Sequence, residues 1–276
     1  MSMFNRCGLI SVVAGVALSP AAFASFHLMQ IEQVMLSYDG DHTVQAIQLR
    51  LRAAGQNQVQ FSRIRVFDSN GANPILVVNM ATTVPVGTAG SRVLITSANF
   101  PANTTPTAVP NFTMTNLIPA SYLAGGKLTF ESDSGVIYWS LSWGNYTGPQ
   151  TGDLSNDSNG NFGPPVAGPF PTAGTSALRF INAANALSTT NLADYTTVTS
   201  NVTFINNAGT SFIVNPPPPP PCFADYNMDG GIDGADVDAF YADWEAGNLD
   251  ADVNQDGGVD GADVDTFFAA WEAGGC

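Results

Sequence analysis

Asp225–Gly247 reads DYNMDGGIDGADVDAFYADWEAG, and Asp252–Gly274 reads DVNQDGGVDGADVDTFFAAWEAG. The second copy starts 27 residues after the first, and 17 of the 23 aligned positions are identical without a gap. Such a repeat marks two copies of one supersecondary unit, so the C-terminal fifth of the chain forms a module of its own.

In each copy, oxygen-bearing side chains recur at positions 1, 3, 5, 9 and 12. These are Asp225, Asn227, Asp229, Asp233 and Asp236, then Asp252, Asn254, Asp256, Asp260 and Asp263. Gly230 and Gly257 take position 6, where a calcium loop of the EF-hand kind turns sharply, and Gly231 and Gly258 at position 7 offer backbone carbonyls. A hard cation takes about six to eight oxygens, and this spacing gathers them around one point, so two calcium ions are expected. Ile232 and Val259, at position 8, are expected to pair the loops through a short β contact.

Each loop should run into a helix. Val237, Phe240, Tyr241 and Trp244 fall at i, i+3, i+4 and i+7, and Val264, Phe267, Phe268 and Trp271 repeat the pattern. Asp236 and Asp263 then sit near helix N-termini, where negative charge is favoured. Pro221 and Cys222 precede the first loop, so each unit is a loop plus one helix, with no leading helix.

The chain has 276 residues and a net charge of −15. From Cys222 to Cys276 there are 14 Asp and Glu and no Lys or Arg, whereas the other nine acidic groups face eight basic ones. A segment this acidic repels nucleic acid and anionic membranes and attracts divalent cations or a basic partner.

Residues 1–24 read as an export signal: Arg6, an apolar run from Leu9 to Leu18, and the small-residue site Ala22-Phe23-Ala24, with cleavage expected before Ser25. The run is too short for a membrane anchor, so a secreted or surface-associated protein without membrane insertion is expected. Cys7 leaves with the signal, and Cys222 and Cys276 then bracket the repeat in a disulfide-permissive compartment.

Residues 25–215 alternate with period two. Ile47, Leu49 and Leu51 oppose Gln48, Arg50 and Arg52, while Ile137, Trp139, Leu141 and Trp143 share one face. Asp39-Gly40, Asn70-Gly71, Asp133-Ser134-Gly135 and Asn207-Ala208-Gly209 supply hairpin turns. The fold class is therefore mainly β: an antiparallel β-sandwich body followed by a small α-helical, duplicated EF-hand-like module. A phase slip between Phe61 and Ile64 predicts a bulge near Ser62, and the Gly- and Pro-rich stretch Tyr146–Thr175 predicts a loop outside the core. Pro216–Pro221, six consecutive prolines, forms a polyproline II linker to the module at 222–276.

The body offers weaker site signals. Asn156–Asn161 reads as a solvated turn in preference to a calcium loop, because it lacks a closing acidic residue. Arg50, Arg52, Arg63 and Arg65 could share a wet face able to meet an anionic polysaccharide, although a plain solvated face is the simpler reading. Trp139 and Trp143 fall in phase with the core. His27 and His42 are the only histidines, and no nucleophile-elbow, zinc-helix or phosphate-loop motif is present. Glu32, Glu131, Asp133, Asp153 and Asp194 could supply a glycosidase-type carboxylate pair, but the sequence singles out no two of them, so catalysis is not the favoured reading.

Two resemblances bear on these expectations. Asp225–Asp236 and Asp252–Asp263, each followed by an aromatic helix, resemble the duplicated calcium segments of type I dockerins, and the terminal Gly275-Cys276 resembles bacterial proteins with a GC-type dockerin anchor. That resemblance implies docking to a cohesin-like or other scaffold protein at a cell surface or in an extracellular assembly, often one that degrades polysaccharide. The family's partner-contacting positions fall here on Gly234-Ala235, Gly261-Ala262, Tyr241 and Phe268, where dockerins often carry hydroxyl or basic residues. The calcium chemistry thus carries over better than the docking surface, and the implied partner is more apolar or more basic than usual. In the body, MQIEQV at Met29–Val34, QAIQLRL at Gln45–Leu51 and the hairpin Gly126–Gly144 resemble lamin-tail-like β-sandwich domains of secreted bacterial proteins. Cys222 and Cys276 would close a ring around the module, stabilising it by roughly 4 kcal/mol on chain-entropy reasoning. The alternative is that Cys276 is an exposed thiol used for covalent attachment.

Overall fold

The structure, a computed structural model, describes residues 26–216 and 222–274. The expected export signal, most of the proline run and Cys276 lie outside the described residues. The chain divides between Asn215 and Pro216 into two compact units.

The first unit is built from strands. In chain order they are β1 (Met29–Met35), β2 (Ala46–Leu51), β3 (Ser62–Phe67), β4 (Ile75–Met80) and β5 (Arg92–Thr96). Two short strands follow, β6 (Thr104–Thr105) and β7 (Phe112–Thr113), and then the long hairpin β8 (Gly125–Ser132) and β9 (Ile137–Gly144). The last are β10 (Ala177–Phe180), β11 (Tyr195–Val198), β12 (Thr203–Ile205) and β13 (Ser211–Val214). A single helical turn, α1 (Asn191–Asp194), precedes β11, with Thr190 as its N-cap.

These strands make three sheets: β11-β10-β1-β2-β5-β7, β4-β3-β8-β9 and β12-β13-β6. The pairings are antiparallel except β5 with β7, which is parallel. The six- and four-stranded sheets share one core. Ile31, Ile47, Leu49 and Val93 from the first meet Ile64, Leu128, Trp139 and Leu141 from the second. The period-two alternation puts these residues on one face because successive strand side chains point to opposite sides.

The opposite face of the six-stranded sheet is not left wet. Met35, Ala46, Leu94 and Ala177 pack under Phe204, Phe212 and Val214 of the small sheet, forming a second apolar cluster. This third layer is an addition to the expected two-sheet body.

Two local expectations are corrected. The slip near Ser62 is a 3-10 turn over Val59–Phe61 that ends where β3 begins, because Ser62 Oγ donates to Val59 O. The ladder irregularities lie between Ile31 and Gln33, between Ile64 and Arg65 and between Phe130 and Glu131. The stretch Tyr146–Thr175 holds no strand, yet Phe162, Val166 and Phe170 are buried in the main core. Its turn residues route the backbone while its aromatics fill the space beside Trp139 and Trp143, with ring separations of 5.7 and 5.1 Å.

Lys127 on β8 is buried, donating to Pro149 O at 2.8 Å and lying 4.8 Å over the Phe67 ring. Burial pulls its ammonium down to about 8. The unfolded chain then holds this proton more tightly than the folded one, so its contribution to stability is present above about pH 10 and lost as pH falls through 8. Denaturant midpoints of the body should fall between pH 10 and pH 8 by the equivalent of about 1 kcal/mol after screening. Lys127→Met should remove that slope, and an unchanged slope in the variant would assign it to other groups.

Candidate metal centre

The second unit carries the repeat. Helices α2 (Gly234–Ala246) and α3 (Gly261–Ala273) follow their loops with no helix ahead of the first loop, and a short 3-10 turn over Leu249–Ala251 precedes the second. Both helices start alike, with Asp233 and Asp260 as N-caps in reciprocal capping boxes with Asp236 and Asp263. Both end alike on left-handed Gly247 and Gly274.

The two loops repeat the same internal bonds. At position 1, the Asp225 carboxylate accepts from Asp229 N–H and Gly230 N–H, each at 3.0 Å, and Asp252 accepts from Asp256 and Gly257 at 3.1 and 3.0 Å. At position 3, Asn227 and Asn254 accept from Asp229 N–H and Asp256 N–H, each at 2.9 Å. At position 5, Asp229 and Asp256 accept from Gly231 N–H and Gly258 N–H.

Position 12 closes each loop. Asp236 is buried and accepts from Asp233 N–H at 2.8 Å and Asn227 N–H at 3.1 Å; Asp263 repeats this with Asp260 and Asn254 at 2.8 and 3.2 Å. The Asp233 N–H, ahead of that of Asn227, holds the Asp236 carboxyl below the usual carboxylate range. Met228 and Gln255 at position 4 both take φ of 59°, a left-handed conformation uncommon for such side chains, with Gly230 and Gly257 at 88° and 95° two residues on.

The loops therefore join positions 1, 3 and 5 on one side and positions 3, 9 and 12 on the other. Position 9 faces the helix start, where Asp233 and Asp260 accept from Ala235 N–H and Ala262 N–H at 2.8 Å. Gly231 and Gly258 lie between these groups as donors to position 5. Among the described residues no three His, Cys, Asp or Glu side chains converge on one point, since the carboxylates are turned onto backbone amides. An ionised carboxylate has about four lone-pair sites, so an oxygen that accepts one N–H keeps capacity for a cation. The donor set is all oxygen, which suits calcium and disfavours metals that prefer nitrogen or sulfur.

The helices pack through a pseudo-twofold relation that period and spacing alone did not reveal. Phe240 and Phe267 stack at 4.3 Å with rings 3° from parallel. Trp244 Nε1 donates to Asp260 O at 2.9 Å, and Trp271 Nε1 donates to Asp233 O at 3.2 Å, so each helix ties down the other's N-cap. Among the described residues Ile232 and Val259 form no β-bridge, and these Trp bonds link the two halves instead. Tyr226 breaks the symmetry: its hydroxyl donates to Asp243 at 2.9 Å, where the second copy has Val253 and Ala270.

Of the six positions expected to meet a partner, Gly234, Ala235, Gly261 and Ala262 are exposed at the helix starts. Tyr241 and Phe268 are half-buried, 6.2 Å apart and packed on the module's own core. Cys222 lies beside the first loop, where its Sγ accepts from Asp225 N–H at 3.4 Å.

Most of the body's candidate residues are drawn into ion pairs or hydrogen bonds, whereas Asp133 is exposed in its turn. Arg50 pairs with Glu32 on the six-stranded sheet, whereas Arg63 and Arg65 pair with buried Glu131 on the four-stranded sheet. Arg52 donates to Asn156 and to the carbonyls of Ser155 and Asn185, so the four arginines do not share one face. Asp194 accepts from Asn182, Ser188 and Thr189, and Asp153 from Ser155. Asn156 and Asp157 are buried, so the Asn156–Asn161 segment is not a plain solvated turn. No helix among the described residues is long and apolar enough to cross a membrane.

No known protein-family model matches this sequence, and no curated protein matches it.

Proposed function

We propose that the C-terminal unit is a calcium-dependent, dockerin-like docking module, and that the protein is a secreted, non-catalytic β-rich body held by it to a surface or scaffold. The observation that supports this most is the conformational repeat. Two loops with one ligand order also share left-handed residues at positions 4 and 6 and the same amide bonds to positions 1, 3, 5 and 12.

Asp225, Asn227, Asp229, Asp236 and the Gly231 carbonyl would hold one calcium ion, with Asp233 acting directly or through water. Asp252, Asn254, Asp256, Gly258, Asp260 and Asp263 would hold the other. Calcium supplies the positive charge that a segment with 14 acidic and no basic residues lacks. With both loops filled, the helix starts at Gly234-Ala235 and Gly261-Ala262 become fixed, small-residue surfaces that admit close approach by a partner.

In the same reading Cys222, beside the first loop, closes a ring with Cys276. Joining the ends of the unit lowers the entropy of its unfolded chain. Mass analysis of the mature protein should then show a mass two hydrogens below the reduced form; two freely alkylated thiols would refute the ring.

Docking is tested by capture from the source cell's envelope on the immobilised mature chain. The expected result is a partner retained in calcium, released by chelator and absent with Asp225→Ala/Asp252→Ala. Retention that ignores both chelator and substitution would overturn the reading.

A further inference from the structure

The six-stranded sheet carries a row of guanidinium groups under the edge of the small sheet. The ladder register sets Arg179 on β10 opposite Gln33 on β1, Gln33 opposite Gln48 on β2, and Arg50 opposite Arg92 on β5. The irregularity between Ile31 and Gln33 leaves Glu32 unpaired in the ladder and carries its carboxylate to Arg50 at 2.8 Å and Arg92 at 3.0 Å.

Two adjoining depressions open along this row, of about 490 and 220 Å³, and both are lined by Arg92 and Ile205. Arg50 lines the larger one, and Arg179 and Glu32 the smaller. Part of the row is explained by anchoring of β12, since Gln33 donates to Thr203 O and Gln48 accepts from Ile205 N–H. Those two amides make the contacts to β12; of the arginines only Arg179 touches one of them, through Nε to Gln33, while Arg50 and Arg92 turn to Glu32.

Three of the seven basic side chains that follow Arg6 line this trough, against the one carboxylate of Glu32. Glu32 takes one nitrogen of Arg50 and two of Arg92. Arg179 spends only Nε, on Gln33, so among the described residues both of its Nη groups have no hydrogen-bond partner. A guanidinium with both Nη groups uncommitted is a planar fork that matches a carboxylate bidentately.

We propose that this trough binds an acidic oligosaccharide with carboxylates on successive sugar units, one seated on Arg179 and another reached by Arg50 and Arg92. The walls are polar rather than aromatic. Thr88, Ser91 and Asn206 offer partners to hydroxyls, and Phe180, the one ring in the lining, is buried, so recognition rests on charge and not on stacking. Taken together the two volumes suit a short oligomer, as binding depressions commonly measure about 300 to 1,000 Å³. The proposal stands apart from the calcium reading, because every residue it uses belongs to the first unit.

The test is calorimetric titration of the full chain with trigalacturonate and with its neutral methyl ester, with chelator present so that the outcome does not depend on the calcium loops. The acid should bind saturably and the ester should not. Raising salt from 50 to 200 mM should weaken binding, and Arg179→Gln should weaken it about tenfold, the loss expected for hydrogen bonds to a charged group. Thr88→Asp, at an exposed wall position, should weaken it as well by repulsion, with the thermal transition of both variants unchanged. No saturable binding of the acid, equal binding of the ester, or wild-type affinity in Arg179→Gln would overturn the proposal. Tighter binding of a sulfated trisaccharide than of the uronate would overturn its carboxylate assignment.

Discussion

Chelating calcium from the full chain should unfold the C-terminal unit and leave the body folded. The unit's fully buried apolar residues are few, chiefly Phe240, Phe267, Ala251 and Val253. Against this small core stand 14 acidic groups with no basic one to offset them. A ligand bound only by the folded state at 100 times its dissociation constant adds about 2.7 kcal/mol per site, and two sites add about twice that. For a core this small, that sum is comparable with the whole stability of the unit. Far-ultraviolet circular dichroism should therefore show loss of the helical signal of α2 and α3 in chelator, with the strand signal retained. Limited proteolysis should cut the unit first. Identical helical content and cleavage with and without chelator would mean that the loops hold their shape by their amide bonds alone.

Trp139→Ala should destabilise the body by about 4 kcal/mol, read as a shift of the urea midpoint at constant slope. Trp139 is fully buried on β9, edge-on to Phe180 at 5.4 Å. Its Nε1 donates at 2.8 Å to the Tyr195 hydroxyl, which in turn donates to Ile31 O, so one indole joins the two sheets of the main core through a hydrogen-bonded chain. Burial has driven the Tyr195 hydroxyl far above its ordinary pKa, keeping it a neutral donor. Removing the indole leaves a cavity and takes away one of the hydroxyl's partners. Trp139→Phe keeps most of the volume and should cost about 1 to 2 kcal/mol, chiefly the lost hydrogen bond. A cost below 1 kcal/mol for the alanine variant would show that the neighbouring rings of Phe162 and Phe180 collapse into the space.

The strands of the main core were legible because their alternation is regular. Ile47-Gln-Leu-Arg-Leu51 and Ile137–Trp143 each show one apolar face; the first becomes the interior strand β2 and the second the edge strand β9, both lining the main core. The β12–β13 hairpin was legible from its turn at Asn207-Ala208-Gly209, but its place in a third sheet was not, because its partner β6 is only two residues long, too short for a period to register. Its cover over the six-stranded sheet is held by Gln33 and Gln48, polar residues that read as solvent-facing until their backbone partners are seen. The burial of Phe162 and Phe170 was not legible within the Gly- and Pro-rich stretch Tyr146–Thr175, since turn chemistry describes the backbone path and not where an isolated aromatic points. In the module, spacing placed both helices, because the 3.6-residue pattern and the Asp N-caps agree. The reciprocal Trp bonds could not be read, as each links a side chain to a backbone oxygen whose position depends on how the halves pack.

The central claim is that the repeated loops are calcium sites. Its most direct test is calorimetric titration of the full chain with calcium, beside the Asp229→Ala/Asp256→Ala variant, which removes a position 5 oxygen from each loop. The account predicts about two ions bound per wild-type chain and loss of both in the double variant. No calcium-dependent heat in the wild type, or the same stoichiometry and affinity in the variant, would contradict it.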